Sequence, residues 1–330
     1  MLEAIRGRVE QAIEGRVFPG CVIGIVQTNG KRITLPFGSL TYEGKEKVEE
    51  NTLYDLASIT KSVPTALLVL TLVAEEKLFL DDLVKKYIPE LQNDQDAAIE
   101  DLLRYRVQGP RLSMLRLKTF EEIRTHIFEQ GLKRAEGNAF TNVPAFLLGI
   151  MLERVGGASL ATLAHRYFFE PLDMNETTFF PHASICAPTE IDERGEVRGL
   201  PHDESAYAFA KARRSVGHAG LFSTAHDLLT FLEALLQNDG FTKPIIAGAE
   251  AGLGWQVDQS YFMGRHASPE TFGKTGFTGT SICVDRARDV GFVILSNRTY
   301  PKRPTDAMSE SSAINLFRSD IADIVFSEHN

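Results

Sequence analysis

Leu56-Ala57-Ser58-Ile59-Thr60-Lys61 opens the apolar stretch Val63 to Val73 and sets a hydroxyl and an amine three residues apart at the mouth of a buried helix. Residues three apart on a helix share a face, with Cβ atoms about 5–6 Å from one another, so Lys61 can reach Ser58. A hydroxyl is a poor nucleophile until a nearby base takes its proton. Lys61 can be that base only when neutral, which requires desolvation or a second cation close by. Taken alone, the pair also reads as an N-capping serine and a solvated lysine.

The second cation is on offer far downstream, in Gly273-Lys274-Thr275-Gly276-Phe277-Thr278-Gly279, where a strand is expected. Glycines at 273, 276 and 279 let another backbone approach that strand closely, although a glycine-rich bulge with a solvent-facing lysine has the same composition. Lys274 and Thr275 can hold a substrate carboxylate. The backbone N–H just after Gly276, on Phe277, can form an oxyanion hole with that of Ser58. Between the two motifs, Phe140-Thr141-Asn142 precedes an apolar helix from Val143 to Val155. Asn142 is also a good helix cap, with Pro144 in the first turn.

With Ser58-x-x-Lys61, Phe140-Thr141-Asn142 and Lys274-Thr275-Gly276 in this order, the chain resembles the serine β-lactamase and penicillin-binding superfamily, most closely its class C-like branch of β-lactamases, esterases and D-amino-acid peptidases. The likeness extends over most of residues 15 to 300. It includes Asn142-Val143 to Leu148-Gly149, Gly217-His218-Ala219-Gly220-Leu221-Phe222-Ser223-Thr224, Gly254-Trp255 and Phe272 through Gly279. It implies an acyl-enzyme on Ser58, Lys61 as base, Asn142 orienting and Lys274 anchoring. Two departures stand out. Phe140 occupies the place of the tyrosine with which relatives relay the serine proton, which puts turnover in doubt. Leu102 to Gly109 reads Leu-Leu-Arg-Tyr-Arg-Val-Gln-Gly where relatives carry His-Thr-Ser-Gly after the paired leucines, so an unusual substrate is expected. Asp203, Tyr207 and His218 are expected to line the pocket, Tyr207 being a candidate for the missing phenol and His218 structural rather than part of a triad.

Outside the motifs, Leu2, Ile5, Val9 and Ile13 predict an amphipathic helix stopping near Gly15. Val17 to Gln27 and Ile33 to Phe37 predict two strands about Asn29-Gly30. Ser281 to Val284 and Gly291 to Leu295 predict two more, and Ile314, Phe317, Ile321 and Ile324 a last helix. Residues 60 to 237 read mostly helical, with Ser159 and Thr224 as caps and an irregular surface excursion from Ala183 to Arg214. The expected fold is α/β (α+β) and β-lactamase/transpeptidase-like: an antiparallel sheet flanked by terminal helices (1–57 and 238–330), an inserted mainly helical domain (58–237) and a cleft between them.

A chain of 330 residues with 43% hydrophobic and 24% charged residues can bury a sizeable core. Its net charge of −9 excludes nucleic acid as a main partner, since phosphate contacts need clustered Lys and Arg. The 16-residue uncharged run from Gly137 to Leu152 falls short of the roughly 18–20 residues of a membrane span. Cys21, Cys186 and Cys283, odd in number and widely spaced, fit reduced thiols. With no secretory signal in the first twenty residues, a cytoplasmic location is expected. No metal or organic cofactor is implied. The expected function is hydrolysis of a small ester, β-lactam or peptide-like amide, an esterase first. The alternatives are a D,D-peptidase and a binding or regulatory protein that keeps the cleft without turnover.

Overall fold

The computed structural model describes residues 1–115, 118–135, 141–238, 242–305 and 309–329. Helix α1 (Leu2–Glu14) buries Ile5, Val9 and Ala12 on one face and ends at Gly15. Strands β1 (Gly20–Gln27) and β2 (Arg32–Gly38) pair antiparallel, with Ile23 opposite Leu35. Their turn is closed by Asn29 Oδ1, which accepts from the Lys31 N–H at 3.0 Å, and by Gly30 at φ +82°. That positive φ is one glycine adopts without strain. Four further strands, β3 (Gln256–Val257), β4 (Phe272–Thr275), β5 (Ser281–Asp285) and β6 (Val290–Ser296), complete an antiparallel sheet in the order β2-β1-β6-β5-β4-β3.

Alternation along the strands sorts the core into two layers. Cys21, Ile23 and Ile25 of β1, with Val290, Phe292 and Ile294 of β6, face α1 and the last helix α6 (Ala313–Ser327). Phe18 and Phe317 meet there edge to face, with ring centroids 4.9 Å apart. Val22 and Val26, with Val293 and Leu295, belong to the larger core on the other side, shared with the helical half. There helix α2 (Leu67–Ala74) and helix α3 (Val143–Gly156) lie deep in the core. The continuous stretch Ala57–Ala74 is long and apolar enough to cross a bilayer by composition, but in the fold it is mostly interior.

The division of the chain differs from the expected one at two places. Helix α5 (Ala225–Gln237), which the sequence reading put with the helical domain, packs on the sheet: Leu229 fills the space over Gly24 of β1, and Leu232 that over Gly291 of β6. Lys243–Glu250, assigned to the sheet domain, packs instead against α2, with Leu70 filling the space over Gly248. Each helix goes where its apolar stripe finds a matching gap, whatever its place in the chain. The excursion from Ala183 to Arg214 is also more ordered than expected. It holds a small antiparallel pair (Glu190–Asp192 with Gly195–Val197) and helix α4 (Glu204–Lys211), which Asp203 caps through the Ala206 N–H.

Candidate active site

Ser58 stands in a 3-10 turn, Ala57–Lys61, that leads into α2. The preceding residues Tyr54–Asp55 pair with Phe222–Ser223, which pins the turn from one side. Asp55 is wholly buried and pins it from the other. One carboxylate oxygen accepts from the Ala57 N–H at 2.8 Å and the second from the His202 N–H at 2.6 Å. Ala57 has φ +47°, a left-handed conformation that costs a non-glycine residue of order 1–3 kcal/mol. The Ala57 N–H bond to Asp55 holds the strained residue directly before Ser58.

The turn brings Lys61 Nζ to 2.7 Å from Ser58 Oγ. A second donation, to the His218 carbonyl at 3.0 Å, fixes the amine. Lys61 is 6% exposed, and burial pulls its pKa down to about 8 against the opposing pull of Asp203. Lys274, on β4, is 3% exposed; burial first, then repulsion from Lys61, lowers it to about 7. The anticipated pair of buried amines is present. Near neutral pH such lysines can hold or release a proton, which an exposed lysine cannot.

Asn142 caps α3 by position but makes no side-chain cap bond; its amide donates instead to Asp203 Oδ2 at 2.9 Å. Burial alone would raise the Asp203 carboxyl. The His218 ring beside it, the Ser205 hydroxyl and the Ala206 N–H outweigh burial and hold it far below the usual carboxylate range. His218 is held in place by these contacts. Its ring faces Asp203 and Ser205, and its carbonyl carries Lys61. The sequence reading gave Asn142 an orienting, substrate-binding role; in the structure its amide holds Asp203, whose charge favours the ammonium form of Lys61.

The segment after β4 is held as tightly. A Cβ on Gly276 would collide with the Leu56 carbonyl and the Thr280 hydroxyl, so this glycine lets the strand end pack closely on the turn that carries Ser58. Thr278 Oγ1 donates to the Asp55 carbonyl at 2.6 Å. Arg318 of α6, 3% exposed, donates through Nη2 to the carbonyls of Gly276 and Thr280 at 2.8 and 2.7 Å. Burial lowers its guanidinium to about 9. Phe277 is fixed by Arg298, whose Nε donates to its carbonyl at 2.8 Å, and by the His202 ring stacked 5.5 Å away. The Thr275 side chain is half-buried beside Lys274.

Two expected residues remain, Tyr207 and Phe140. The Tyr207 ring has the Arg194 guanidinium 5.0 Å and the Lys211 amine 5.8 Å from its centroid, and Arg194 in turn pairs with Glu190. Phe140 lies outside the described residues. The residues the sequence reading missed are Asp55, Ser205, Arg318 and Tyr105, whose hydroxyl lies 3.3 Å from Lys274 Nζ. Tyr105 was inside the stretch flagged as a departure; the others gave no local signal.

Known proteins place this architecture. The Beta-lactamase family model matches residues 5–314. A protein of Escherichia coli (strain K12) named "Putative D-alanyl-D-alanine carboxypeptidase" is 30% identical over 322 residues, covering 80% of this chain and 73% of that protein. Two solved structures share the fold over 98% of this chain. They are EstCE1, a hydrolase with promiscuous acyltransferase activity (TM-score 0.75, 19% identity, 98% of that chain), and a class C β-lactamase from Rhodobacter sphaeroides (TM-score 0.70, 19% identity, 99% of that chain). With its antiparallel sheet and its paired motifs joined at one buried site, the chain belongs to the beta-lactamase family of serine hydrolases.

Proposed function

We propose that this protein hydrolyses a small ester or peptide-like amide through an acyl-enzyme on Ser58. The observation that carries the reading is the 2.7 Å contact between Ser58 Oγ and a lysine whose burial brings its pKa to about 8. The neutral Lys61 amine takes the Ser58 proton as Oγ attacks the carbonyl carbon. The Ser58 and Phe277 N–H groups receive the developing oxyanion, and the Lys61 ammonium returns the proton to the leaving oxygen or nitrogen. In the second half a water oxygen attacks the acyl carbon as Lys61 takes its proton; the Ser58–acyl bond breaks, the acid leaves, and the Lys61 ammonium returns that proton to Ser58 Oγ. Lys274 anchors a substrate carboxylate when it is an ammonium. A D,D-peptidase reading is favoured by the name of the Escherichia coli relative and by that same lysine, since such substrates end in a carboxylate.

The test is intact mass after incubation with a fluorophosphonate and, separately, with a penicillin. One adduct, located on Ser58 and absent from Ser58→Ala, supports the mechanism. Label on another serine, or label retained by Ser58→Ala, refutes it.

A further inference from the structure

His202 stands just before Asp203, the residue that caps α4, so its own N–H lies outside the helix and is available to another segment. That N–H donates to Asp55 Oδ2 at 2.6 Å, and Asp55 Oδ1 accepts in turn from the Ala57 N–H, one residue before Ser58. The side chain of the same residue serves the other wall of the site. Its ring stacks on Phe277, with centroids 5.5 Å apart and planes inclined by 28°. His202 is 3% exposed, and its Nε2 lies 2.9 Å from Glu190 Oε2, at an ion-pair distance but off the direction of a hydrogen bond. Glu190 is itself fixed by Arg303, whose Nε donates to Oε1 at 3.1 Å and whose Nη2 donates to Oε2 at 3.0 Å. The imidazole is therefore clamped between a braced carboxylate and the Phe277 ring.

In the mechanism above the Ser58 and Phe277 N–H groups receive the oxyanion, and they come from segments far apart in the chain. Such donors work when they are fixed in advance about 2.7–3.1 Å from where the charged oxygen will sit, so the spacing between them is the quantity the fold has to hold. Thr278 ties the two segments through the Asp55 carbonyl, and Arg298 holds the Phe277 carbonyl. His202 adds a hold on the Phe277 side chain and carries it back to the turn of Ser58. We infer that His202 is a positioning residue for the oxyanion hole: its backbone fixes the Ser58 turn through Asp55 while its ring fixes Phe277, so that one residue sets the spacing of the two donors. The inference deepens the acyl-transfer reading and rests on it for the place of the oxyanion. Its effect belongs to the transition state and not to substrate binding, because the charged oxygen exists only there.

The test compares a nitrophenyl ester with its thionoester, in which sulfur replaces the carbonyl oxygen. Sulfur is larger and a weaker acceptor, so well-placed donors favour the oxygen compound, and the ratio of the two acylation rates reports their placement. His202→Leu keeps the backbone N–H but loses the flat ring and Nε2. It should slow the burst with the oxygen ester about tenfold to thirtyfold, short of the roughly 10²–10³-fold cost of losing a donor outright, move the half-saturating concentration less than about twofold, and lower the oxygen-to-sulfur ratio about threefold or more. His202→Phe restores a flat ring and should recover most of that ratio. Phe277→Leu removes the other ring of the stack from a half-buried position and gives the same reading should the His202 variants not fold. The double variant His202→Leu with Phe277→Leu should lose no more than either single one, since both remove one contact. An unchanged ratio, equal losses for the two esters, a phenylalanine variant no better than the leucine one, or additive losses in the double variant overturns the role. With normal fluorophosphonate labelling of Ser58 those results leave the acyl-enzyme reading intact; a parent protein unlabelled at Ser58 overturns that reading and this role with it.

Discussion

The rate at which a neutral activated ester acylates Ser58 should follow the neutral fraction of Lys61, and the pH profile then measures how far burial has shifted that lysine. With the amine near 8, about 1% is neutral at pH 6, about 9% at pH 7 and about 90% at pH 9, so the burst rate should climb about 90-fold between pH 6 and 9 and then level. At the ordinary value of 10.5 about 3% would be neutral at pH 9, and the rate would climb about a thousandfold over the same range without levelling. A neutral ester keeps carboxylate binding by Lys274 out of the result. The assay is stopped-flow release of nitrophenol, read at the wavelength where its two forms absorb equally. Asp203→Asn removes the charge that favours the ammonium and should shift the rising limb to lower pH. Lys61→Arg keeps a cation in place but cannot release its proton, and the burst should disappear. A profile flat from pH 6 to 9, or a burst retained by Lys61→Arg, would show that another group takes the serine proton.

Lys274→Met should raise the urea midpoint at pH 7. The folded pKa of about 7 lies below the unfolded 10.5, so the unfolded chain binds more protons between those values, native stability rises with pH across that window, and below it the full penalty of order a few kcal/mol stands. An unchanged or lowered midpoint contradicts this cost. Gly276→Ala should lower stability by about 2 kcal/mol and abolish fluorophosphonate labelling together, because the new methyl pushes on the carbonyl of Leu56 two residues before the nucleophile; normal labelling would disconnect the two segments. Phe140→Tyr, which restores the phenol of the relatives, should shorten the lifetime of the acyl-enzyme seen by mass. An unaltered lifetime means that water is activated without that hydroxyl.

Much of the site was legible because its chemistry is local. Ser58 and Lys61 are one helical turn apart, and Lys274 lies in a short strand with its own glycine signature. The terminal strands were legible for the same reason: alternation and turn residues act over a few positions. What the sequence did not disclose is held by contacts between distant residues. Asp55 depends on the N–H of His202, and Arg318 acts on carbonyls some forty residues upstream. The placement of α5 and of Lys243–Glu250 failed on the same ground, since an apolar stripe states that it will be buried and not against what. Tyr105 showed only as a mismatch to relatives, and its contact with Lys274 is again one between distant residues.

The contacts of Arg318 also bear on a partly synthesised chain. Ser58 leaves the ribosome well before Arg318, yet the strand end bearing Gly276 is held by that guanidinium, on a helix that covers both α1 and the sheet. A nascent protein that already contains Ser58, Lys61 and Lys274 therefore lacks a braced oxyanion edge until α6 has emerged and docked. A chain truncated short of residue 318 keeps Ser58, Lys61 and Lys274 without that brace and should be inert toward acylating reagents; normal labelling of such a chain would show that the brace is dispensable.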